Sequence, residues 1–371
     1  MHRNTQYANL NTNKMKAENR LEWVDSLRGL AALGVAIMHI YVKLRGYYPN
    51  VSAFQENSLP GLFILDFTNL GKICVVVFFL ISGYVIPYSL FNKDLNQFAV
   101  SRFFRLYPAY WVAIISSIIV TGFPPFIQLL TNITMLQKFV GQPDLVGVFW
   151  TLQIELIFYF ICALMFYSGL LFNQTAILRF FYALLGFSFV LATIRFVTDI
   201  KLPVVVPLGL DVMFLGLLYR RFERKEGNLD GKKILNLIAI FVIFLLPISF
   251  MAYNKDYGFG EKWYKYFVSY SLAILIFAAF SKYKWHTKTL VYLGAISYSL
   301  YLLHPVIGMD LVDLIKKNYI SDLNPITCIL LFFSFAIGAA MLSYHFVEKP
   351  SITIGRNLLK KIQTRQGSFA T

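Results

Sequence analysis

Long apolar runs recur along the 371-residue chain, separated by short polar and mostly basic stretches. A bilayer core about 30 Å thick takes about 20 apolar residues per helix. By that rule the pattern predicts spans at 27–45, 71–91, 105–122, 146–167, 176–198, 203–219, 233–253, 263–281, 289–307 and 325–345. The fold class implied is all-α: a polytopic membrane protein with about ten transmembrane helices. The stretch 123–145 opens with Pro124 and Pro125 and holds IQLLTNITML. It reads either as re-entrant or as lying on the surface. No second soluble domain, fixed-period repeat or low-complexity segment is found. The chain divides into an N-terminal segment (1–22), a membrane domain (23–347) and a basic tail (348–371).

Composition narrows the class further. The chain is 57% hydrophobic and 14% charged, against about 25% charged in soluble domains. A water-soluble globular enzyme and a disordered chain are both excluded. The formal charge is +15, which fits nucleic acid or an anionic membrane face. The bases sit in short loops between apolar runs, so the membrane face is favoured and no nucleic-acid partner is expected. With ten spans, one set of loops carries 22 Lys and Arg and the other 10. Both termini are then expected to be cytoplasmic, with RRFERKEG (220–227) the clearest inside loop. Residues 1–20 are polar, and no small-residue cleavage site follows the first apolar run. The N-terminus is therefore not read as a cleaved signal. Cys74, Cys162 and Cys328 lie inside apolar runs without metal spacing, so they read as small buried hydrophobes, and no metal site is expected.

Ionisable residues at membrane depth are costly, so each is a functional candidate. In the first span, Asp25 and Arg28 are three apart and can pair at its inner end. His39 follows eleven residues after Arg28, which returns it to within about 20° of the same face and about 16 Å along the axis. In the fourth span, FWTLQIELIF places Glu155 about 13 Å below the outer surface by helical rise, beside about 12 Å for His39. At one depth, a carboxylate could orient the imidazole as a general base. In the ninth span, ISYSLYLLHP puts Ser297, Tyr301 and His304 on one face, near an outer vestibule. Asp211 in the sixth span either joins the cavity or pairs with an arginine. Arg102 and Arg105 in SRFFRLYP point the same way and suit phosphate recognition. With Arg28 at the same face they form a candidate cytoplasmic polyanion site. In FFLISGYVIP, Ser82 and Gly83 are expected to serve packing more than chemistry. His2, His286 and His345 carry no functional expectation.

Together WVDSLRGLAALGVAIMHI, FFLISGYVI, SRFFRLYPAYW, FWTLQIELIFYF and ISYSLYLLHP, in this order, resemble the acyltransferase-3 family of bacterial membrane acyltransferases. The resemblance runs from residue 23 to residue 305. It implies a multi-pass protein of the bacterial plasma (inner) membrane that transfers an acyl group, often acetyl, from cytoplasmic acyl-coenzyme A. Acyl-coenzyme A is then a co-substrate, and no permanently bound cofactor is implied. The acceptor implied is a hydroxyl of an envelope or exported glycan, or of a lipid-linked sugar. By the same resemblance His39 and Arg28 match the family's essential pair, Arg102 and Arg105 its Arg-x-x-Arg donor motif, and Glu155 its acidic position. The appended esterase-like domain of some members is not found in these 371 residues, so transfer is expected to be completed alone or with an envelope-biosynthesis partner. A general base acts on a hydroxyl that is a poor nucleophile until deprotonated; a variant has His39 transiently acylated. The main competing class is a non-enzymatic polysaccharide exporter or flippase, which leaves the paired inner arginines unexplained. A structural scaffold leaves both His39 and Glu155 unexplained.

Overall fold

The computed structural model describes residues 21–91, 94–255, 262–318 and 323–368. Most of the expected N-terminal segment 1–22, including Arg3, Lys14, Lys16 and Arg20, lies outside the described residues, as does Lys93. The principal helices are α1 (Glu22–Tyr47), α2 (Leu70–Leu90), α3 (Leu95–Thr121), the short α4 (Phe126–Ile133), α5 (Trp150–Tyr167) and α6 (Gln174–Thr198). They continue as α7 (Val205–Glu223), α8 (Gly231–Tyr253), α9 (Trp263–Tyr283), α10 (Lys288–Leu303), the short α11 (Leu311–Asn318), α12 (Pro325–Ser343) and α13 (Lys349–Ser368). No strand occurs among the described residues. Side chains set several helix starts. Asn69, Asp94, Asn173, Asp230, Thr287 and Asn324 each accept a hydrogen bond from a first-turn amide, satisfying donors that have no intrahelical partner.

Among the described residues, nine helical stretches are long and apolar enough to cross a membrane. The chain is therefore an all-α, multi-pass membrane protein. The remaining expected span, 203–219, is helix α7, where Asp211, Arg220, Arg221 and Glu223 dilute the apolar run. Charge is tolerated there because α7 is buried from Pro207 to Leu218. Helices α2, α5, α6 and α8 pack around it, as expected of a helix apolar on all sides. Its seam with α2 depends on Gly83, where an added Cβ would overlap the Met213 carbonyl.

Helix α1 is held between α2 and α10. The α1–α10 seam is also close: a Cβ on Gly294 would overlap the backbone of Asp25, and one on Gly29 would strike the backbone of Gly294. Small residues allow such backbone approach between membrane helices. Asp94 starts α3 ten residues before the expected 105, so Arg102 and Arg105 lie inside the helix rather than ahead of it.

After Pro124 and Pro125 the chain turns back along α3, which decides between the two readings of 123–145. Tyr107 donates to the Thr134 carbonyl at 3.1 Å, Tyr110 to Asn132 at 2.8 Å and Trp111 to Ile133 at 3.1 Å. Thr134 thus lies beside a residue fourteen positions short of the end of α3, or about 21 Å by helical rise. The segment is re-entrant. Its exposed Phe126, Ile127 and Leu130 form an outward apolar face. Its Asn132 and Gln137 side chains turn inward and are buried, and non-helical backbone at membrane depth is tolerated where it is packed against protein.

Candidate functional site

A cavity of about 680 Å³ opens among α1, α2, α3, α5, α10 and α13. Its wall brings together Arg28 from α1, Ser82 from α2, Arg102 and Arg105 from α3, and Glu155 and Tyr159 from α5. The Arg102 guanidinium donates to Ser89 Oγ at 2.7 Å and lies over the rings of Phe98 and Tyr159, 5.2 and 5.3 Å from their centroids. Arg28 and Arg105 are close enough to repel each other, and Asp25, Glu348 and Glu155 offset that repulsion. No hydrogen bond or ion pair engages either guanidinium among the described residues. Guanidiniums left without hydrogen-bond acceptors are a standing cost, which an anionic ligand would relieve. Glu155 accepts from Tyr159, one helical turn on, at 2.5 Å, and from Ser82 at 3.4 Å.

Thr151 and Tyr301, whose hydroxyls lie 2.9 Å apart, also line the cavity. Its lining stops there. Beyond the Tyr301 ring stands His304, 6.1 Å away between centroids, and beyond that His39, 5.1 Å from His304 in an edge-to-face arrangement. His304 is fully buried. Its Nδ1 lies 3.1 Å from the Leu300 carbonyl, an acceptor, so Nδ1 carries the proton. Nε2 is then a lone-pair nitrogen, and it has no partner. Pro305 follows immediately and cannot donate to the helix, and the chain relaxes into a π-helical turn, His304–Asp310, a local widening often found at functional positions.

The structure brings Asp25, Arg28, Ser82, Arg102, Arg105, Glu155 and Tyr301 into one wall. Three expectations change. Glu155 does not meet His39: its partners are Tyr159 and Ser82, while the ring against His39 is His304. The depth estimate placed the start of α5 at the outer surface. Instead α5 begins behind the re-entrant segment, with the Phe149 ring tilted at 48° against Tyr110, 4.4 Å between centroids, midway along α3. Asp211 neither lines the cavity nor meets an arginine; both its oxygens are buried without a partner, because α7 faces only other helices. Ser82 faces the cavity and bonds Glu155, leaving the packing task to Gly83 alone.

Sequence reasoning missed the contribution of 348–371. Glu348 is buried, accepts from Ser299 at 2.8 Å and sits near Arg105 and Arg28. Helix α13 packs on α3, where Ser351 donates to the Phe104 carbonyl at 2.8 Å. Lys349 and Arg356 thereby join the cavity wall. The one available signal was a carboxylate followed by a basic amphipathic run. Cys74, Cys162 and Cys328 are buried and free. Among the described residues no group of three His, Cys, Asp or Glu is placed to hold a metal ion.

A family model described as an acyltransferase domain, of the acyltransferase-3 type, matches residues 21–345. The acyltransferase MdmB of Streptomyces mycarofaciens is 30% identical over 154 residues. That match covers 38% of this chain and 38% of the relative, so well under two thirds of the relative is spanned. No solved structure matches the chain.

Proposed function

Because the chain belongs to the acyltransferase-3 family, we propose that it is a membrane O-acyltransferase moving an acyl group, acetyl by default, from acyl-coenzyme A to a hydroxyl of a cell-envelope or exported glycan. The observation that carries this is the cavity in which Arg28 from α1 and Arg102 and Arg105 from α3 converge, Arg28 and Arg105 having no hydrogen-bond acceptor among the described residues. The basic end of the bundle faces the cytoplasm of a bacterial inner membrane, in keeping with the excess of loop bases there. The polyphosphate head of the donor docks on Arg28, Arg102 and Arg105, which supply charge-assisted hydrogen bonds. Its thin thioester arm extends toward Thr151 and Tyr301.

The acceptor hydroxyl approaches from the opposite side and loses its proton to His39 as its oxygen attacks the thioester carbon. The C–O bond forms, the C–S bond breaks, and the proton passes to the departing thiolate. His304 holds His39 in place, its unpartnered Nε2 being available to an N–H of the neighbouring imidazole. Glu155, together with Asp25 and Glu348, balances the arginines when the cavity is empty. Tyr301 closes the end of the cavity, so its ring must turn aside for the thioester to reach the imidazoles.

The test is purified protein in lipid vesicles given acetyl-coenzyme A on the basic side and a glycan acceptor on the other. Thiol release matched by acetylated glycan is expected. Glycan movement without thiol release would establish the exporter class instead.

A further inference from the structure

A second cavity of about 480 Å³ adjoins the first. The two share Ala295, Tyr344 and Lys349, so the basic end forks, with Lys349 at the fork. Lys288 and His345 line the side chamber. The only carboxylate among its described lining residues, Glu22, is turned to His286 at 3.1 Å. Lys288 and Lys349 are exposed, and no hydrogen bond or ion pair engages either ammonium group among the described residues. Lys288 is the first residue of α10, where the helix dipole already favours anions over cations. Placing a lysine there raises the positive potential at the side chamber, at some local cost to the helix. Tyr292 offers an exposed ring beside His345, 6.4 Å between centroids, a flat face on which a purine can stack.

We infer that the donor is held at two separate phosphate subsites: its diphosphate in the main cavity, and the phosphate on its ribose in the side chamber, on Lys288 and Lys349. This rests on acyl-coenzyme A being the donor. A single basic pocket would suffice for an acyl phosphate, or for an arm joined through one phosphodiester. A forked one matches a nucleotide carrying anionic groups on two different arms. The chamber therefore selects for the ribose phosphate and fixes which way the nucleotide lies, which in turn aims the thioester arm along the main cavity.

The test compares acetyl-coenzyme A with its 3′-dephospho form on the purified protein, reading thiol release. Wild type is expected to favour the phosphorylated donor on the order of tenfold in kcat/KM, carried by KM. In the Lys288→Ala, Lys349→Ala double variant the two donors should converge, while Lys288→Arg with Lys349→Arg should keep the preference. A melting curve of each variant confirms an intact fold. Equal use of both donors by wild type, or a preference undiminished in the double alanine variant, overturns the two-subsite arrangement and leaves the acyl-coenzyme A donor standing. No thiol release from either donor by wild type overturns the donor itself, and the subsites with it.

Discussion

Two polar regions lie within this bundle, and they are built in opposite ways. In the re-entrant segment nearly every buried group is satisfied. Asn132 Nδ2 donates to the carbonyls of Gln128 and Pro143, and its Oδ1 accepts from Leu145. Asp144 accepts from the amides of Gln137 and Gln153 and pairs with Lys138 at 3.1 Å. Only Gln137 Oε1 is left without a partner there. In the arginine cavity, by contrast, the Arg28 and Arg105 guanidiniums have electrostatic neighbours but no hydrogen bonds among the described residues. A closed network holds its own chain in place. An open set of charges holds something that has yet to arrive.

That contrast can be broken at several points. The largest effect is expected from His39→Ala, which removes the proposed base: acyl transfer should fall about 100- to 10,000-fold with the melting midpoint kept. Full activity would remove His39 from the chemistry. Next, Arg105→Ala should raise the donor KM about ten- to a hundredfold without lowering stability, since a guanidinium with no protein hydrogen bond is lost. A falling midpoint with an unchanged KM would mark Arg105 as structural. Asp144→Ala should do the reverse, costing about 1–3 kcal/mol of stability by orphaning two amides while leaving the donor KM alone; thermal and kinetic measurements on one preparation decide it. The smallest effect belongs to Tyr301→Phe, which loses one hydroxyl pair with Thr151, about 1 kcal/mol. Its midpoint should drop slightly with turnover maintained, because the ring, not the hydroxyl, closes the cavity.

The sequence carried the helices and the convergence of Arg28 with Arg102 and Arg105, because both follow from local rules. Apolar length marks a span, and a three-residue spacing fixes a shared face. Glu155 shows where those rules stop. Helical rise gives its depth only from an assumed helix start, and the re-entrant chain moves that start inward. Glu348, Lys349 and Arg356 were illegible for another reason. Nothing in a basic tail reveals that it folds back on α3, since that depends on Ser351 and Gly355 meeting Phe104 in three dimensions. The polar stripe marks His304, but its pairing with His39 depends on the π-helical turn, which no local spacing predicts.

The glycine contact between α1 and α10 has a mechanical consequence. Asp25 and Arg28 stand on one of these helices, and Ser297 and Tyr301 on the other. With the two backbones touching at Gly29 and Gly294, that side of the chamber behaves as a fixed jaw. Any widening to admit a bulkier acyl chain must come from the opposite jaw, where α3 and α13 are joined through side chains and can yield.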